Sequence, residues 1–285
     1  MKISPFVPLH FPEANESDGL PSRYIQTWAT TDKILLQIIA AVGDDAPTAT
    51  LWNAHTEETV SSITWQSWQV NAEKLVYFAE LDELDPGHYK ITIGTKVSDE
   101  FIVTDDENIL AGTTLIQYRF KDNRQRDDVL SVISNQVYFF DFRVPGGFKD
   151  SGIQFGVTNE QFSTQHEDLV ELYATDYITK TFTLGNAMGV PVWYGELFNR
   201  LLTCSYVYFN GDRYTRNESE VPTMNVLVDG LDSFVFTQAL RKHRDVEGAT
   251  TNLNRIALRR IEQEQFRVLP SGELDDLKLR LVTSE

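Results

Sequence analysis

The sequence has a single cysteine, Cys204, so no disulfide can form within the chain and the small disulfide-stapled class is excluded. Cys204 stands in Leu201-Leu202-Thr203-Cys204-Ser205-Tyr206, among apolar neighbours and far in sequence from any histidine, and it reads as a buried structural thiol. Long apolar runs are missing. The best, Ile34 to Val42, falls well short of the roughly 18 residues a helical membrane span requires, so no membrane insertion is expected. Positive charge is scarce: 25 Lys and Arg stand against 42 Asp and Glu, a formal net charge of -17. Such a chain opposes phosphate backbones and anionic lipid, which argues against free nucleic-acid binding. The first residues, Met1 to Pro8, lack the apolar core of a secretion signal, so the chain is expected to act inside a cell or an assembled particle. On that expectation Asn15-Glu16-Ser17 and Asn217-Glu218-Ser219 are polar loop residues rather than glycosylation sites.

The usual linear signatures of chemistry are also absent. There is no Walker A loop, no Gly-x-Gly-x-x-Gly, no His-Glu-x-x-His and no Gly-x-Ser-x-Gly. The histidines His10, His55, His88, His166 and His243 are far apart, and no short spacing puts two on one helix or strand face. They read as ordinary histidines, and no metal or other cofactor is expected. Glu80, Asp82, Glu83 and Asp85 crowd one turn but lack the calcium ladder, and a solvated acidic turn is the simpler reading. Gly146-Gly147 and Gly185-Asn186-Ala187-Met188-Gly189 could cradle an anion, but turn chemistry explains them with less. No catalytic residue emerges, so the chain is not expected to be an enzyme.

What the sequence does have is β-forming material. Aromatic residues make up 12% of it, and short runs rich in Val, Ile and Thr recur between turn residues, which suits pleated, half-buried surfaces. Residues 1–25 hold four prolines and little periodicity, and they read as an extended arm lying on the chain's own body or on a neighbour's. Strands are expected at Tyr24 to Ala29, Ile34 to Val42, Thr48 to Asn53, Ile63 to Trp65, Leu75 to Leu81, Tyr89 to Ile93 and Phe101 to Thr104. Thr30-Thr31-Asp32-Lys33 and Asp85-Pro86-Gly87-His88 are turns between them, the second with Gly87 at positive φ. The near-continuous Ile34 to Val42 fits a strand buried on both faces. Residues 26–106 are thus read as an N-terminal β-sandwich ending in a charged linker, Thr104 to Asn108.

Charge separates this front from the remainder. The first 110 residues carry 18 acidic and 6 basic residues, and the rest is close to balanced. Residues 107–285 read as a β-rich α+β domain, with strands at Leu115 to Phe120 and Val137 to Arg143 flanking a charged turn, Lys121 to Asp128. A helix is expected near 192–203, after Pro191, with Tyr194, Leu197, Phe198, Leu201 and Leu202 on one face. Cys204 to Phe209, Asn210-Gly211 and Arg213 to Arg216 predict a hairpin with a two-residue turn. Leu169 to Tyr173 fits either a helix capped by Thr164 to Glu167 or a strand. Val226 to Val228, Ser233 to Leu240, Arg255 to Ile261 and Gln265 to Leu269 are further strand candidates, and residues 270–285 read as a polar tail.

Several stretches resemble a family of structural proteins from tailed phages and prophages of Bacteroides-type bacteria, encoded among tail and baseplate genes. They are Met1 to Phe6, Tyr24 to Asp32 and the Leu84 to Tyr89 turn, then Gln117-Tyr118 with Asp122 to Gln125, Phe142 to Phe148 and Leu184 to Trp193, running into Glu196 to Cys204. Their order along the chain carries the resemblance. It implies an immunoglobulin-like front module and a role in the particle, in the virion tail, with copies of the chain and other tail proteins as partners; it implies no catalytic residue.

Two sets of residues are candidates for binding. Arg119, Lys121, Arg124 and Arg126 crowd one turn and Arg241, Lys242 and Arg244 another, so an acidic front could meet a basic rear in a head-to-tail, ring-like homo-oligomer. Phe198 joins them if its helix stripe meets another subunit rather than the core. The alternative function is a carbohydrate-binding receptor module, with Trp65 and Trp68 as stacking rings beside Trp52; Trp65 and Trp68 differ in strand parity and so face opposite sides.

Overall fold

Short β-branched and aromatic runs, each ended by turn residues, fold as strands, and the protein is mainly β. The computed structural model describes residues 1–12, 22–149, 152–163, 169–217, 222–227 and 231–243, which belong to one compact unit over Met1–His243. Thr164 to Glu167, Arg244, Arg255 to Ile261, Gln265 to Leu269 and the tail from 270 lie outside the described residues.

The front consists of β1 (Lys2–Ile3), β2 (Gln26–Ala29), β3 (Ile34–Ala41), β4 (Ala49–Asn53), β5 (Thr59–Ser62), β6 (Gln66–Gln69), β7 (Lys74–Leu81), β8 (Gly87–Ile93), β9 (Lys96–Val97) and β10 (Phe101–Thr104). One sheet runs β1-β3-β7-β6 and the other β2-β10-β8-β4-β5, with β9 on β8. The two share a core that includes Trp28, Leu36, Ile38, Leu51, Ile91 and Phe101, the arrangement of a β-sandwich. Tyr89 Oη donates to Asp85 O at 2.9 Å, tying the acidic turn to β8.

Three local expectations are corrected. Ile63 to Trp65 is not a strand but the crossover from β5 to β6, which lie in different sheets; Ile63 and Trp65 both pack on the front core while the backbone changes partners. In the acidic turn the positive φ falls on Glu83, at 51°, and Gly87 begins β8 instead. The charged segment after β10 is not an open linker, because Asp106 caps α1 (Glu107–Ala111), its carboxylate accepting from Asn108 N at 2.9 Å.

The rear strands are β11 (Thr113–Arg119), β12 (Val132–Ile133), β13 (Gln136–Val137), β14 (Phe140–Phe148), β15 (Gln154–Ser163), β16 (Leu169–Leu184), β17 (Tyr206–Phe209), β18 (Asp212–Arg216), β19 (Thr223–Val226) and β20 (Phe234–Lys242). Pairings β14–β11, β11–β17, β17–β18, β18–β20, β20–β16 and β16–β14 are all antiparallel and form a closed circuit. Closure removes the sheet edges within that circuit. Gly146-Gly147 is therefore not a turn. It lies inside β14 where that strand leaves β11 for β16, and Gly146 has φ of 121°; a Cβ there would stand 2.0 Å from Thr183 O.

The rear core gathers Ile116, Tyr118, Phe142, Phe182, Phe209 and Phe236, and α2 (Val192–Leu201) packs into it. Its apolar stripe is the expected one, with Tyr194, Leu197, Phe198 and Leu201 buried. The Asn210-Gly211 hairpin also forms, Asn210 at φ 48° and Gly211 at φ 87° supplying the turn.

The opening residues lie on the chain's own body. Lys2–Ile3 pairs with β3, Val7, Leu9 and Phe11 enter the front core, and Phe6 enters the rear core. Front and rear are joined further by Gln37, whose Nε2 donates to Leu130 O at 2.7 Å and whose Oε1 accepts from Leu130 N at 2.8 Å. β3 explains the near-continuous apolar run: Ile34, Leu36 and Ile38 face the front core, while Leu35 belongs to the rear one.

Candidate functional site

The basic turn is largely occupied within the chain. Arg119 is sandwiched between the rings of Tyr206, 4.2 Å from its guanidinium carbon, and Phe139, at 5.1 Å. It also donates to Phe120 O at 2.9 Å. Arg126 lies over the Phe6 ring and grips Asp128 with two nitrogens, Nε to Oδ1 at 2.7 Å. That contact holds the Asp128 carboxyl below its ordinary value despite partial burial. Lys121, Arg124 and Arg126 are exposed, and of these Arg126 is held by its ion pair with Asp128. In the second basic group, Arg241 stacks on Tyr177 at 4.1 Å and Lys242 pairs with Asp212 at 2.6 Å.

Phe198 is fully buried against Phe182 and Phe209, so it belongs to the core and cannot touch another subunit while the chain is folded. Trp65 and Trp68 do face opposite sides. Trp65 packs on the front core and donates Nε1 to Pro47 O at 2.7 Å, whereas Trp68 packs with Val76, Phe78, Leu130 and Ile133. Half-buried on separate clusters, the two rings form no common stacking platform.

A feature the sequence reading passed over lies in β15 and β16. Residues 169–178 of β16 run beyond the closed circuit and pair with β15 alone among the described residues, giving a two-stranded ribbon. Phe155 is 83% exposed, and Val157, Phe162, Leu172 and Tyr173 are exposed as well. Phe155 and Val157 lie on one face with their partners Ile178 and Asp176. A register shift between Glu160 and Gln161 bends the ribbon near its tip. At its base Tyr177 lies across Gly156, where a Cβ would stand 2.3 Å from the ring, and Arg241 covers that same tyrosine.

A second convergence is on the front sheet. His55 sits in the turn after β4, where Asn53 Oδ1 accepts from the backbone N–H of both His55 and Thr56. His88 lies at the start of β8, and Glu100 stands just before β10. Strand pairing brings them together: Ala54 N donates to His88 O at 2.8 Å, and His88 lies opposite Ile102. The His55 and His88 rings are 4.1 Å apart and perpendicular, and His88 Nδ1 is 2.7 Å from Glu100 Oε1. The expectation that the histidines stay apart is corrected for this pair. Their link is a β4–β8 pairing between strands distant in sequence, which no local spacing reveals.

Buried polar groups elsewhere do structural work. Arg143 meets Asp32 with Nε at 2.6 Å and Nη2 at 2.8 Å, joining rear to front. Asp141 accepts from Lys33 N at 3.1 Å and Gln117 Nε2 at 2.9 Å, yet burial pushes its carboxyl above the ordinary value. The Cys204 thiol is pushed up to about 12 by burial, which makes a thiolate nucleophile unavailable at neutral pH. No helix among the described residues is long and apolar enough to cross a membrane. Compared with known proteins, the chain matches no family model, no curated protein and no solved structure.

Proposed function

We propose that this chain is a structural subunit of a phage tail or baseplate, acting through self-association and contacts with neighbouring virion proteins. The observation that carries this reading is the β15–β16 ribbon. A two-stranded ribbon has no core of its own, and one that offers Phe155, Val157 and Leu172 to solvent beside strand edges without a partner among the described residues is a template for another chain. Proteins blunt such edges with lysine, proline or a covering loop. The described ribbon residues 154–162 and 171–178 hold no lysine and no proline, and the outer edges have no strand partner among the described residues, which supports pairing with another chain. A second copy offers an identical edge, and strand-to-strand addition between copies satisfies both.

The order of the phage-like stretches gives the particle in which this association would operate. Head-to-tail charge pairing contributes less to the reading than the ribbon does, because Arg119 and Arg126 are engaged internally and exposed ion pairs add only about 0 to 1 kcal/mol each. The same holds for the opening residues, whose apolar side chains fill the chain's own cores.

Light scattering coupled to gel filtration, on the whole chain at low and high salt, tests the association. An oligomer that persists at high salt and dissociates in the double variant Phe155→Ser, Leu172→Ser supports the ribbon as its seam. A monomer at every concentration and ionic strength refutes autonomous self-association. Antibody labelling of purified particles in the electron microscope tests the location independently, and unlabelled tails would refute it.

A further inference from the structure

We propose that His55, His88 and Glu100 form a binding site for a divalent transition-metal ion of the zinc, cobalt or nickel class. Their donor atoms all lie within 4.8 Å of one another. Two imidazole nitrogens and one carboxylate are the donor set such ions take, and hard calcium or magnesium sites use oxygen alone. The closest pair, His88 Nδ1 and Glu100 Oε1 at 2.7 Å, now shares a proton. An ion can replace that proton, with the His88 proton moving to Nε2, so that both atoms become ligands.

The third ligand needs a small movement. Zinc bonds of about 2.0–2.1 Å in a tetrahedron set donors roughly 3.3–3.4 Å apart, so the 2.7 Å His88–Glu100 pair must open by about 0.6 Å and His55 close by up to about 1.5 Å. His55 is exposed on a turn, His88 stands at the start of β8 and Glu100 just before β10, the last two about one-third exposed, so all three side chains have room to adjust. Asn53 pins the backbone of that turn through its two accepted N–H bonds, so the His55 imidazole can swing without moving the turn. Three protein ligands leave one position for water or for a donor from another molecule.

This assignment does not depend on the tail reading, since the site lies on the front sheet and the ribbon on the rear strands. Bound metal would tie the β4–β5 turn to the β8–β10 pair within one sheet of the front.

The test is calorimetric titration of the metal-stripped full chain with zinc chloride, with cobalt chloride absorption as a second readout. One ion per chain is expected, with a tetrahedral cobalt spectrum. His55→Ala and His88→Ala should each weaken binding at least about tenfold, and Glu100→Gln by about 10- to 100-fold. His243→Asn, outside the cluster, should bind as the parent does. Circular dichroism on each variant checks that it is folded, and the cobalt spectrum of the parent chain stands even if one variant is not. Absence of saturable binding below millimolar zinc, or binding weakened less than tenfold in both folded histidine variants, overturns the proposal.

Discussion

Strand β16 passes through two environments, and its halves obey different rules. Residues 182–184 lie between β14 and β20 in the closed circuit, where Phe182 and Leu184 are fully buried. Residues 171–176 have β15 on one side, no described partner on the other, and every side chain exposed. The backbone hydrogen bonding is similar in kind, so the difference lies in what the side chains meet. In the inner half, side-chain identity determines stability; in the outer half it determines only what the ribbon can bind.

The comparison is broken most severely at Phe182 and Phe198. Phe182 touches the rings of Phe148, Phe198 and Phe209, so Phe182→Ala or Phe198→Ala should cost about 3 to 5 kcal/mol through lost burial and a residual cavity. Urea denaturation measures this directly. An unchanged midpoint in Phe198→Ala would contradict the placement of the helix stripe in the core.

Next in size is the join between front and rear. Asp32 is almost completely buried and Arg143 nearly so, and Asp32→Ala leaves a guanidinium without its carboxylate. The expected loss is roughly 3 kcal/mol, mostly the penalty of an unpaired buried charge. A double-mutant cycle with Arg143→Met should recover much of it. If the two single losses simply add, the pair is not coupled.

These two regions also differ in how far the sequence disclosed them. The helix after Pro191 was legible because a stripe at Tyr194, Leu197, Phe198 and Leu201 has the period of a helix with one buried face. β3 was legible because both of its faces are buried, and the Asn210-Gly211 turn because its φ angles demand those residues. The ribbon was legible only in part: Leu169 to Tyr173 fits a strand as well as a helix and proves to be strand, but with no buried face Phe155 to Gln161 is under no pressure to alternate and gives no periodic signal. Closure of the rear strands was hidden for a different reason. It depends on β16 meeting both β14 and β20, a long-range fact with no local pattern. The histidine pair shared that obscurity, since only the β4–β8 pairing brings His55 to His88.

A smaller effect sharpens the comparison through pH. Burial raises the Asp141 carboxyl above its ordinary 3.8, so the folded chain holds this proton at pH values where the unfolded chain has released it. The folded state then binds more protons than the unfolded one, and the contribution of this group to stability falls as pH rises from about 4 through the raised value. Asp141→Asn cannot ionise. Its melting temperature relative to the parent should climb over that interval and then level off, whatever offset the lost acceptor introduces. A difference independent of pH would mean that Asp141 titrates alike in both states.

The smallest effect on stability should come from the outer half, and it is the most informative about function. Phe155 is 83% exposed, and Phe155→Ser removes almost no buried area, so unfolding of the monomer should shift by no more than about 0.5 kcal/mol. Its consequence is expected in association instead. Phe155 and Val157 stand on one face with Ile178 and Asp176, beside a strand edge with no partner among the described residues, and burying their apolar surface between two chains contributes about 25 cal/mol for each Å² removed from water. Loss of one large ring should therefore weaken the complex severalfold or more while leaving the melting curve of the dilute chain in place. Sedimentation at several concentrations beside a thermal melt at the lowest one separates the two quantities. A large drop in melting temperature, with association unchanged, would mean that Phe155 is a core residue of its own chain and that the seam between copies lies elsewhere.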